Sequence, residues 1–543
     1  MEIAGNIVDV VSKTIRKGVV TVEGGRIASI QYREVSEDQY IMPGFIDAHV
    51  HIESSMVVPS EFARLAVLHG SVATISDPHE IGNVLGKEGV RFMIDNGNKV
   101  PFKFYFGAPS CVPATKFETA GAEIGPEDIR EILGWEGVNY LAEMMNFPGV
   151  LNKDPEVMEK LAIAKEMGKM IDGHLPGIKG EMAKNYAAEG ITTDHESFEY
   201  DEALDKINYG MKILIREGSA AKNFEALWPL IDEYPDRMMF CSDDKHPNDL
   251  LVGHINELAR RAVAKGCDVM NVLRMCSYNV VKHYNMNVGL LQEGDPADFC
   301  IVKDLKDFEV THTYIEGELM AENGTSYIQS VPVTPINHFN CDKISADRLG
   351  ITADTDQVKV IRVDDGQLIT KKEIRSLQAK NGYLQTDVEQ DVLKLVVVNR
   401  YQPSEPARCF VTNFGLKSGA IASSVAHDSH NIIAVGTNDE DLAEAINLLV
   451  ESEGGVSLAN GEEKMCVALP VAGLMSHTDA YEIAAEYTEI DQKARALGSS
   501  LGAPYMTLSF CALLVIPELK LSDLGLFDGV RFEFTSNYAE VKV

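Results

Sequence analysis

The sequence predicts an α/β protein built on a (β/α)₈ barrel of the TIM type, with a small β domain formed from both flanks and an additional C-terminal α+β domain. Three observations lead to this prediction. Eight apolar segments, each ending in polar or small residues, follow one another within residues 43–290 and alternate with amphipathic helix patterns. Both sides of this region carry short alternating strands, and a third region follows them. Strands alternating with helices over about 240 residues are typical of this barrel.

The eight predicted barrel strands are, in order, GFIDAHVHIE, SVATISDPHE, FKFYFGAPS, NYLAEMMNF, MIDGHLPG, ITTDHESF, KILIREGS and MMFCSDD. The helices between them show the expected apolar face. In EVMEKLAIAKEMG, Val157, Leu161 and Ala164 share one side of the helix, and HINELARRAVAKG ends at Gly266 in the position of a C-cap. These elements assign residues 43–290 to the barrel.

The flanks read as one domain made of two separate segments. Residues 1–42 contain short strands with Gly24-Gly25 at a hairpin turn, and residues 291–334 return to the same kind of strand. We expect the two segments to form one small β-sandwich-like domain beside the barrel.

Residues 335–543 are expected to form the C-terminal domain. LKLVVVN and NIIAVG are predicted strands, and a helix is predicted to open with a capping box of Thr437 and Glu440. The apolar segment TLSFCALLVIPELK is predicted to be a buried strand and turn.

Composition narrows the function classes. Lys and Arg number 49 and Asp and Glu number 82, so the formal charge is 49 − 82 = −33. Such a surface repels nucleic-acid phosphates and anionic lipid, and the chain has no compensating basic run. No stretch approaches 18 consecutive apolar residues, and the N-terminus alternates apolar and polar positions. We expect a cytoplasmic enzyme that binds neither nucleic acid nor membrane, with its nine scattered cysteines reduced.

The ends of the predicted strands carry residues of one chemical kind. His49 and His51 are two residues apart on strand one, so their side chains point to the same side and can grip one metal ion. Nitrogen and oxygen ligands suit Zn²⁺, Mn²⁺ or Fe²⁺. The other strand ends that carry such ligands are those of strands four, five, six and eight, with Glu143, His174, His195 and Asp243.

Each of these residues taken alone has a structural alternative. A single His174 or His195 is more often a hydrogen-bonded core histidine, and Asp243 could cap the following helix, with Asp244 competing for its role. Glu143 between Ala142 and Met144 is unusual for a core residue, because an unpaired buried carboxylate is costly. Jointly, the set predicts a metal centre.

Other polar residues are candidates for catalysis or substrate binding. Glu80 is a candidate for catalysis, but Asp77-Pro78-His79-Glu80 also has the form of a helix start. His79 and Ser219 are further substrate-binding candidates. His427 and His430 could reach into the barrel mouth or belong to a polar loop.

Longer strings identify a family resemblance. PGFIDAHVHIESSMV resembles the strand-one signature of the metal-dependent amidohydrolase superfamily. Several further strings, spread over nearly the whole chain, resemble the adenine deaminase family of bacteria and archaea: SDPHEIGNVLG, AEMMNFPGVL, DGHLPG, TDHESF, REGSAAKN, CSDDKHPNDLL and SSVAHDSHNIIAVGTNDEDL. The family's usual DPHEIANV reads DPHEIGNV here, with Gly82.

The resemblance implies a binuclear centre with two divalent metal ions per chain, Mn²⁺ or Fe²⁺ first and Zn²⁺ as an alternative. His49, His51 and Asp243 would hold one ion, His174 and His195 the other, and Glu143 would bridge them. Strand four contains no lysine that could serve as a carboxylated bridge instead.

The implied reaction is hydrolysis of adenine to hypoxanthine and ammonia in purine salvage, with a bridging hydroxide attacking C6. Asp243 would move the proton, with Glu80 as a second candidate. The alternatives are an amidohydrolase acting on a cyclic amide, such as a hydantoinase-like or imidazolonepropionase-like enzyme, and a metal-stabilised binding protein. His51-Ile52-Glu53 matches the H-x-E of the other zinc deaminase design, but the chain lacks its C-x-x-C. We expect a homo-oligomer, a dimer or a tetramer.

Overall fold

The computed structural model describes residues 1–539. The chain begins with four strands on one side of the barrel: β1 (Glu2–Asp9), β2 (Thr14–Glu23), β3 (Arg26–Tyr32) and β4 (Tyr40–Pro43). The turn between β2 and β3 is the predicted hairpin, since Gly24 and Gly25 both have positive φ angles of 55° and 77°.

Eight parallel strands with intervening helices follow and confirm every predicted barrel strand. In chain order they are β5 (Phe45–Val50), α1 (Pro59–Ala66), β6 (Ser71–Ser76), α2 (His79–Leu85), α3 (Lys87–Gly97), β7 (Lys103–Ala108), α4 (Pro126–Leu133), β8 (Val138–Met144), α5 (Phe147–Asn152), α6 (Pro155–Glu166), β9 (Met170–Gly173), α7 (Gly180–Ala188), β10 (Thr193–Asp194), α8 (Tyr200–Asn208), β11 (Lys212–Arg216), α9 (Phe224–Leu227), α10 (Leu230–Glu233), β12 (Met238–Cys241), α11 (Pro247–Val252), α12 (Ile255–Ala264), α13 (Val269–Met275) and α14 (Tyr278–Tyr284).

Backbone hydrogen bonds close these strands into a ring. Strands β5 to β9 form one parallel sheet and β10 to β12 another. The Thr192 N–H donates to the Ile171 carbonyl at 2.9 Å, and the Asp243 N–H donates to the His49 carbonyl at 2.9 Å. Since both seams are bridged, the carboxyl ends of all eight strands meet at one mouth.

The chain then returns to the first sheet through β13 (Phe299–Val302), β14 (Val310–Ile315), β15 (Glu318–Glu322) and β16 (Thr325–Ser326). Strand β13 pairs antiparallel with β4 in the register Phe299↔Pro43, so the two flanks share one eight-stranded sheet ordered β16-β15-β14-β13-β4-β1-β2-β3. This confirms that both flanks build the small β domain of the predicted fold class.

The C-terminal region contains a second large sheet with helices against it. Its elements are β17 (Gln357–Arg362), β18 (Lys371–Ser376), β19 (Ala379–Lys380), β20 (Tyr383–Leu384), β21 (Val392–Val398), β22 (Ala407–Thr412), β23 (Ala420–Ser423), β24 (Ile432–Gly436), α15 (Asp439–Ser452), β25 (Gly455–Asn460), β26 (Glu463–Ala468), α16 (Ala480–Ala496), α17 (Pro504–Phe510), β27 (Leu519–Ser522), β28 (Gly525–Asp528) and β29 (Glu533–Phe534).

Two local predictions in this region are wrong. Helix α15 is capped by Asn438, whose side chain accepts from the Asp441 N–H, whereas the Thr437 hydroxyl donates to the Gly419 carbonyl. The segment TLSFCALLVIPELK begins as the end of α17 and only later becomes β27. Pro504 at the first position of α17 is the helix-start signal that lies outside the apolar run.

The C-terminal region packs on the barrel mouth. The Ala480 N–H donates to Glu61 of α1 at 2.9 Å, and Asn431 donates to the Thr119 carbonyl at 2.9 Å. Within residues 1–539, none of the helices is long and apolar enough to cross a membrane.

A buried lysine stabilises the loops after β9 and β10. Lys206 is fully buried, and its Nζ donates to Asp194 at 2.9 Å and to Glu202 at 2.8 Å. The same Nζ donates to the Leu175 carbonyl and to the Ser197 hydroxyl, which follow the two strand ends.

We therefore predict that Lys206→Met lowers the free energy of unfolding by about 3–5 kcal/mol, because it leaves two buried carboxylates without their cation. Chemical denaturation of the variant measures this. The exposed Lys184→Met is the control, since its ion pair with Glu181 lies in solvent and should matter by less than about 1 kcal/mol. Equal stability of both variants would contradict the assignment.

Candidate active site

Six predicted ligands converge at the carboxyl ends of the barrel strands. All six side chains are buried, with exposed fractions of 1–3%. They come from or directly follow β5, β8, β9, β10 and β12: His49, His51, Glu143, His174, His195 and Asp243. The strand order of the barrel therefore brings together residues that are up to about 190 positions apart in the sequence.

The first pair of histidines lies against Asp243. The Nε2 atoms of His49 and His51 are 3.1 Å apart, and Asp243 Oδ1 lies 3.5 Å from the first and 3.1 Å from the second. Asp243 has a φ of +54°, a conformation that Asp tolerates better than most residues and that turns its side chain into the barrel. These three groups offer two imidazole nitrogens and one carboxylate oxygen to a single point.

Glu143 lies between this group and a second pair of histidines. Its Oε1 atom is 3.7 Å from His49 Nε2 and 3.2 Å from His51 Nε2. Its Oε2 atom is 2.7 Å from His174 Nδ1 and 3.2 Å from His195 Nε2. The two oxygens of one carboxylate thus face two different imidazole pairs, which is the arrangement of a bridging ligand.

Electrostatics keep the two carboxylates ionised. Burial by itself would raise the pKa of Glu143, but the imidazoles of His195 and His174 hold this pKa well below its usual range. Burial likewise opposes ionisation of Asp243, and the guanidinium of Arg216 lowers its pKa well below the ordinary value. Both groups are therefore carboxylates at neutral pH.

The donor set fits divalent cations. Triplets of ligand atoms whose members all lie within 4.8 Å of one another include His49-His195-Asp243 and Glu143-His174-His195. His174 Nε2 is buried and has no hydrogen-bond partner among the described residues. Imidazole and carboxylate ligands without thiolates suit Zn²⁺, Mn²⁺ or Fe²⁺. The site is thus a candidate metal centre.

A second polar cluster lies at the same mouth and includes the predicted C-terminal motif. Glu80 Oε1 lies 3.0 Å from His427 Nε2, and Glu80 Oε2 contacts His430 Nε2. His79 Nε2 is 3.6 Å from Glu80 and 3.7 Å from Asp428. Barrel and C-terminal residues therefore meet around Glu80.

Helix α2 explains the position of Glu80. The helix begins at His79 with Pro78 at the N-cap, one residue later than the predicted helix start at Asp77, and Asp77 accepts from the His79 N–H at 3.1 Å. The Glu80 side chain makes none of the helix-start hydrogen bonds and points to the two histidines instead. Structural and functional interpretations of this segment are thus compatible.

Ser219 lies apart from the cavity lining. Its hydroxyl donates to Asp249 and accepts from the His246 N–H at 2.9 Å. Its backbone N–H donates to the Asp244 carbonyl at 2.8 Å. Ser219 therefore ties together the loops that follow β11 and β12.

Two charged site residues were missed by the sequence reasoning, Glu196 and Arg216, whereas Asp244 was considered only as a competitor of Asp243 and Asp428 only as part of the C-terminal motif. Glu196 follows His195 and Arg216 ends β11, so the same search of strand ends could have found them. Asp244 accepts from the Ser54 hydroxyl at 2.6 Å and lies 3.2 Å from His427 Nε2.

The two clusters line one pocket at the barrel mouth, with a free volume of about 20 Å³. Its walls come from both the barrel and the C-terminal region, and the latter contributes Leu368, His427, Asp428 and Leu513. The lining combines these two leucines with carboxylate and imidazole groups.

Comparison with known proteins agrees with this organisation. The amidohydrolase family model matches residues 40–320, and the adenine deaminase C-terminal domain matches residues 367–533. An adenine deaminase of Sulfurovum sp. is 54% identical over 98% of this chain and 99% of its own length. The chain belongs to the adenine deaminase family. Family members from Methanosarcina mazei and Salinibacter ruber are 50% and 52% identical, each over 99% of this chain and 99% of their own lengths.

Among solved structures, N-acetyl-D-glucosamine-6-phosphate deacetylase from Mycobacterium smegmatis is 14% identical, with a TM-score of 0.45 over 59% of this chain and 100% of its own.

Proposed function

We propose that this protein hydrolyses adenine to hypoxanthine and ammonia. The observation that carries this proposal is the similarity to curated adenine deaminases, which spans the barrel and the C-terminal region alike. Similarity confined to the barrel would not identify which bond is hydrolysed, since cyclic-amide hydrolases use the same kind of site.

The proposal includes two divalent cations, Mn²⁺ or Fe²⁺ first and Zn²⁺ as an alternative. Its support is the position of Glu143, with one carboxylate oxygen toward each imidazole pair. His49, His51 and Asp243 would hold one cation, and His174 and His195 the other. When bound, such cations supply a water acidic enough to attack at neutral pH and stabilise the negative charge of the tetrahedral adduct.

Asp243 is the proposed proton carrier. It would accept a proton from the attacking water and deliver it to the 6-amino nitrogen as the C6–N bond breaks. The bonding electrons leave with ammonia, the second proton of the water passes to ring N1, and C6 keeps the oxygen as the carbonyl of hypoxanthine. The support is the buried position of Asp243 between the histidines and the cavity.

Glu80 is proposed to bind a ring nitrogen of adenine, oriented by the C-terminal histidines. The Ala426 N–H donates to His430 Nδ1 at 3.2 Å, so the proton of the neutral ring lies on Nε2, which faces Glu80. His427 Nε2 faces Glu80 from the other side. One carboxylate is thus held from two directions at the cavity wall.

The C-terminal region is proposed to close the mouth and to exclude a ribose. Leu368 and Leu513 lie over the cavity that the metal ligands line. Excluding water would strengthen every electrostatic contact to the ring. In this proposal residues 335–543 form the covering domain, residues 43–290 the catalytic barrel, and residues 1–42 with 291–334 the supporting β domain.

The test is ammonia release from protein loaded with Mn²⁺, using adenine, adenosine and cytosine, with dihydropyrimidine ring opening followed in parallel. We expect rapid release from adenine, at least about 100-fold slower release from adenosine, and no ring opening; a factor of 100 equals about 2.7 kcal/mol. Ring opening without ammonia release would favour the cyclic-amide alternative, and no turnover of any compound would favour a binding protein.

A prediction for the C-terminal motif follows from the Glu80 contacts. His427→Ala and His430→Ala should each lower kcat/KM for adenine about 10- to 100-fold, the loss expected for one charge-assisted hydrogen bond of about 1.5–3 kcal/mol. Both variants should keep the metal content of the wild type. His338→Ala is the matched control, because His338 is exposed in the same region and its ring packs at a tilt against Tyr401. Loss of metal from either variant would contradict the proposal that the two histidines act only on substrate binding.

A further inference from the structure

We propose that Arg216 is a positioning residue for the deamination: it holds one oxygen of Asp243 so that the other faces the histidines of strand one. This inference rests on the function proposed above. Arg216 ends β11, a barrel strand that contributes none of the six proposed metal ligands.

The two oxygens of Asp243 have different partners. Arg216 Nη1 donates to Asp243 Oδ2 at 2.8 Å. The opposite oxygen, Oδ1, lies 3.1 Å from His51 Nε2 and 3.5 Å from His49 Nε2. A carboxylate held from one side by a guanidinium has little freedom to rotate, so its direction toward the cavity is set before substrate binds.

Arg216 is itself fixed by its neighbours. Its Nη2 donates to Glu196 Oε2 at 3.1 Å, and Nη1 also contacts Glu196 Oε1. Its backbone N–H donates to Asn223 at 2.7 Å, and Asn223 donates to the His195 carbonyl at 3.0 Å. Arg216 is only 4% exposed, so water cannot take the place of these partners.

The arrangement links the ends of three strands. Glu196 follows β10, Arg216 ends β11 and Asp243 follows β12, so one guanidinium sets the spacing of two carboxylates from neighbouring strands. A lysine ammonium at this position would supply the charge without the planar fork that contacts both groups. Geometry, and not charge alone, is what Arg216 contributes.

This geometry matters at the proton transfer. In the proposed reaction Asp243 takes a proton from the attacking water and gives it to the 6-amino nitrogen, while the C6–N bond breaks and ammonia leaves with the electron pair. A misplacement of about 1 Å in such a group can lower the rate about 100-fold. The loss should therefore appear in kcat, with metal content and adenine binding preserved.

The test compares Arg216→Ala and Arg216→Lys with the wild type in metal content, kcat and KM. We expect two metal ions per chain in all three proteins, KM within about threefold, and kcat lowered about 100-fold in Arg216→Ala and less in Arg216→Lys. Added guanidinium should restore part of the kcat of Arg216→Ala.

Arg274→Ala is the control for loss of a buried arginine. Among the hydrogen bonds described, Arg274 donates to the Val10 carbonyl and to Asp236, and neither belongs to the proposed site.

A second substrate isolates the proton delivery. Hydrolysis of 6-chloropurine expels chloride, which leaves with its electron pair and needs no proton, so Arg216→Ala should lose less activity on it than on adenine. A raised KM at unchanged kcat would overturn the proposal by placing Arg216 against the substrate, and loss of metal from both variants would overturn it by placing Arg216 in support of the cations. Absence of ammonia release by the wild type would instead refute the proposed function.

Discussion

Replacing Glu143 by Gln is expected to lower the metal content from two ions per chain and to reduce adenine turnover roughly 1000-fold, or about 4 kcal/mol. The reason lies in the two oxygens of this side chain, which face His51 on one side and His174 on the other. An amide has one neutral oxygen and one nitrogen that carries hydrogens, so it cannot bind a cation on each side.

Elemental analysis of purified protein, combined with ammonia release, checks this result. Glu61→Gln is the matched control, since Glu61 is equally buried but contacts Arg64 and the Ala480 N–H away from the metal ligands. Full metal occupancy with normal turnover in Glu143→Gln would show that Glu143 is not a bridging ligand.

The barrel could be predicted from the sequence because each strand is short, apolar and followed by polar residues. The proposed metal ligands could be predicted for the same reason, since the strand ends of a closed parallel barrel meet at one place whatever their distance in the chain. His49 and His51 carry the clearest signal, because alternate residues of a strand share a face.

Other features depend on contacts between segments that no local pattern marks. The Arg216 contact to Asp243 joins two neighbouring strands, and an arginine at a strand end is as typical of surface solvation as of a buried ion pair. The contact of Glu80 with His430 depends on how the C-terminal region is placed on the barrel. Nothing in the sequence around Ser219 distinguishes a structural loop hydroxyl from one that contacts the substrate.

Asn438 shows the limit of helix-start signals. Thr437 and Asn438 are both good N-cap residues, and the sequence contains a partner for either of them. The choice follows from β24, because Thr437 N–H and hydroxyl both donate to the Gly419 carbonyl of the adjacent segment. Tertiary pairing thus moved the start of α15 by one residue.

Asp243→Asn is expected to lower kcat about 100- to 10,000-fold while KM for adenine changes little, because general acid-base catalysis contributes about this much and acts in the transition state. An asparagine keeps the size of the side chain and an oxygen toward His51, but it cannot accept and return a proton. Asp244→Asn is the closest comparison: Asp244 lies within 4.8 Å of His51, but its short contacts are to Ser54 at 2.6 Å and His427 at 3.2 Å, so its loss should act mainly through substrate binding. Steady-state kinetics of both variants at matched metal content separate the two positions. If Asp243→Asn raised only KM, and Asp244→Asn carried the loss of kcat, the proton carrier would be Asp244.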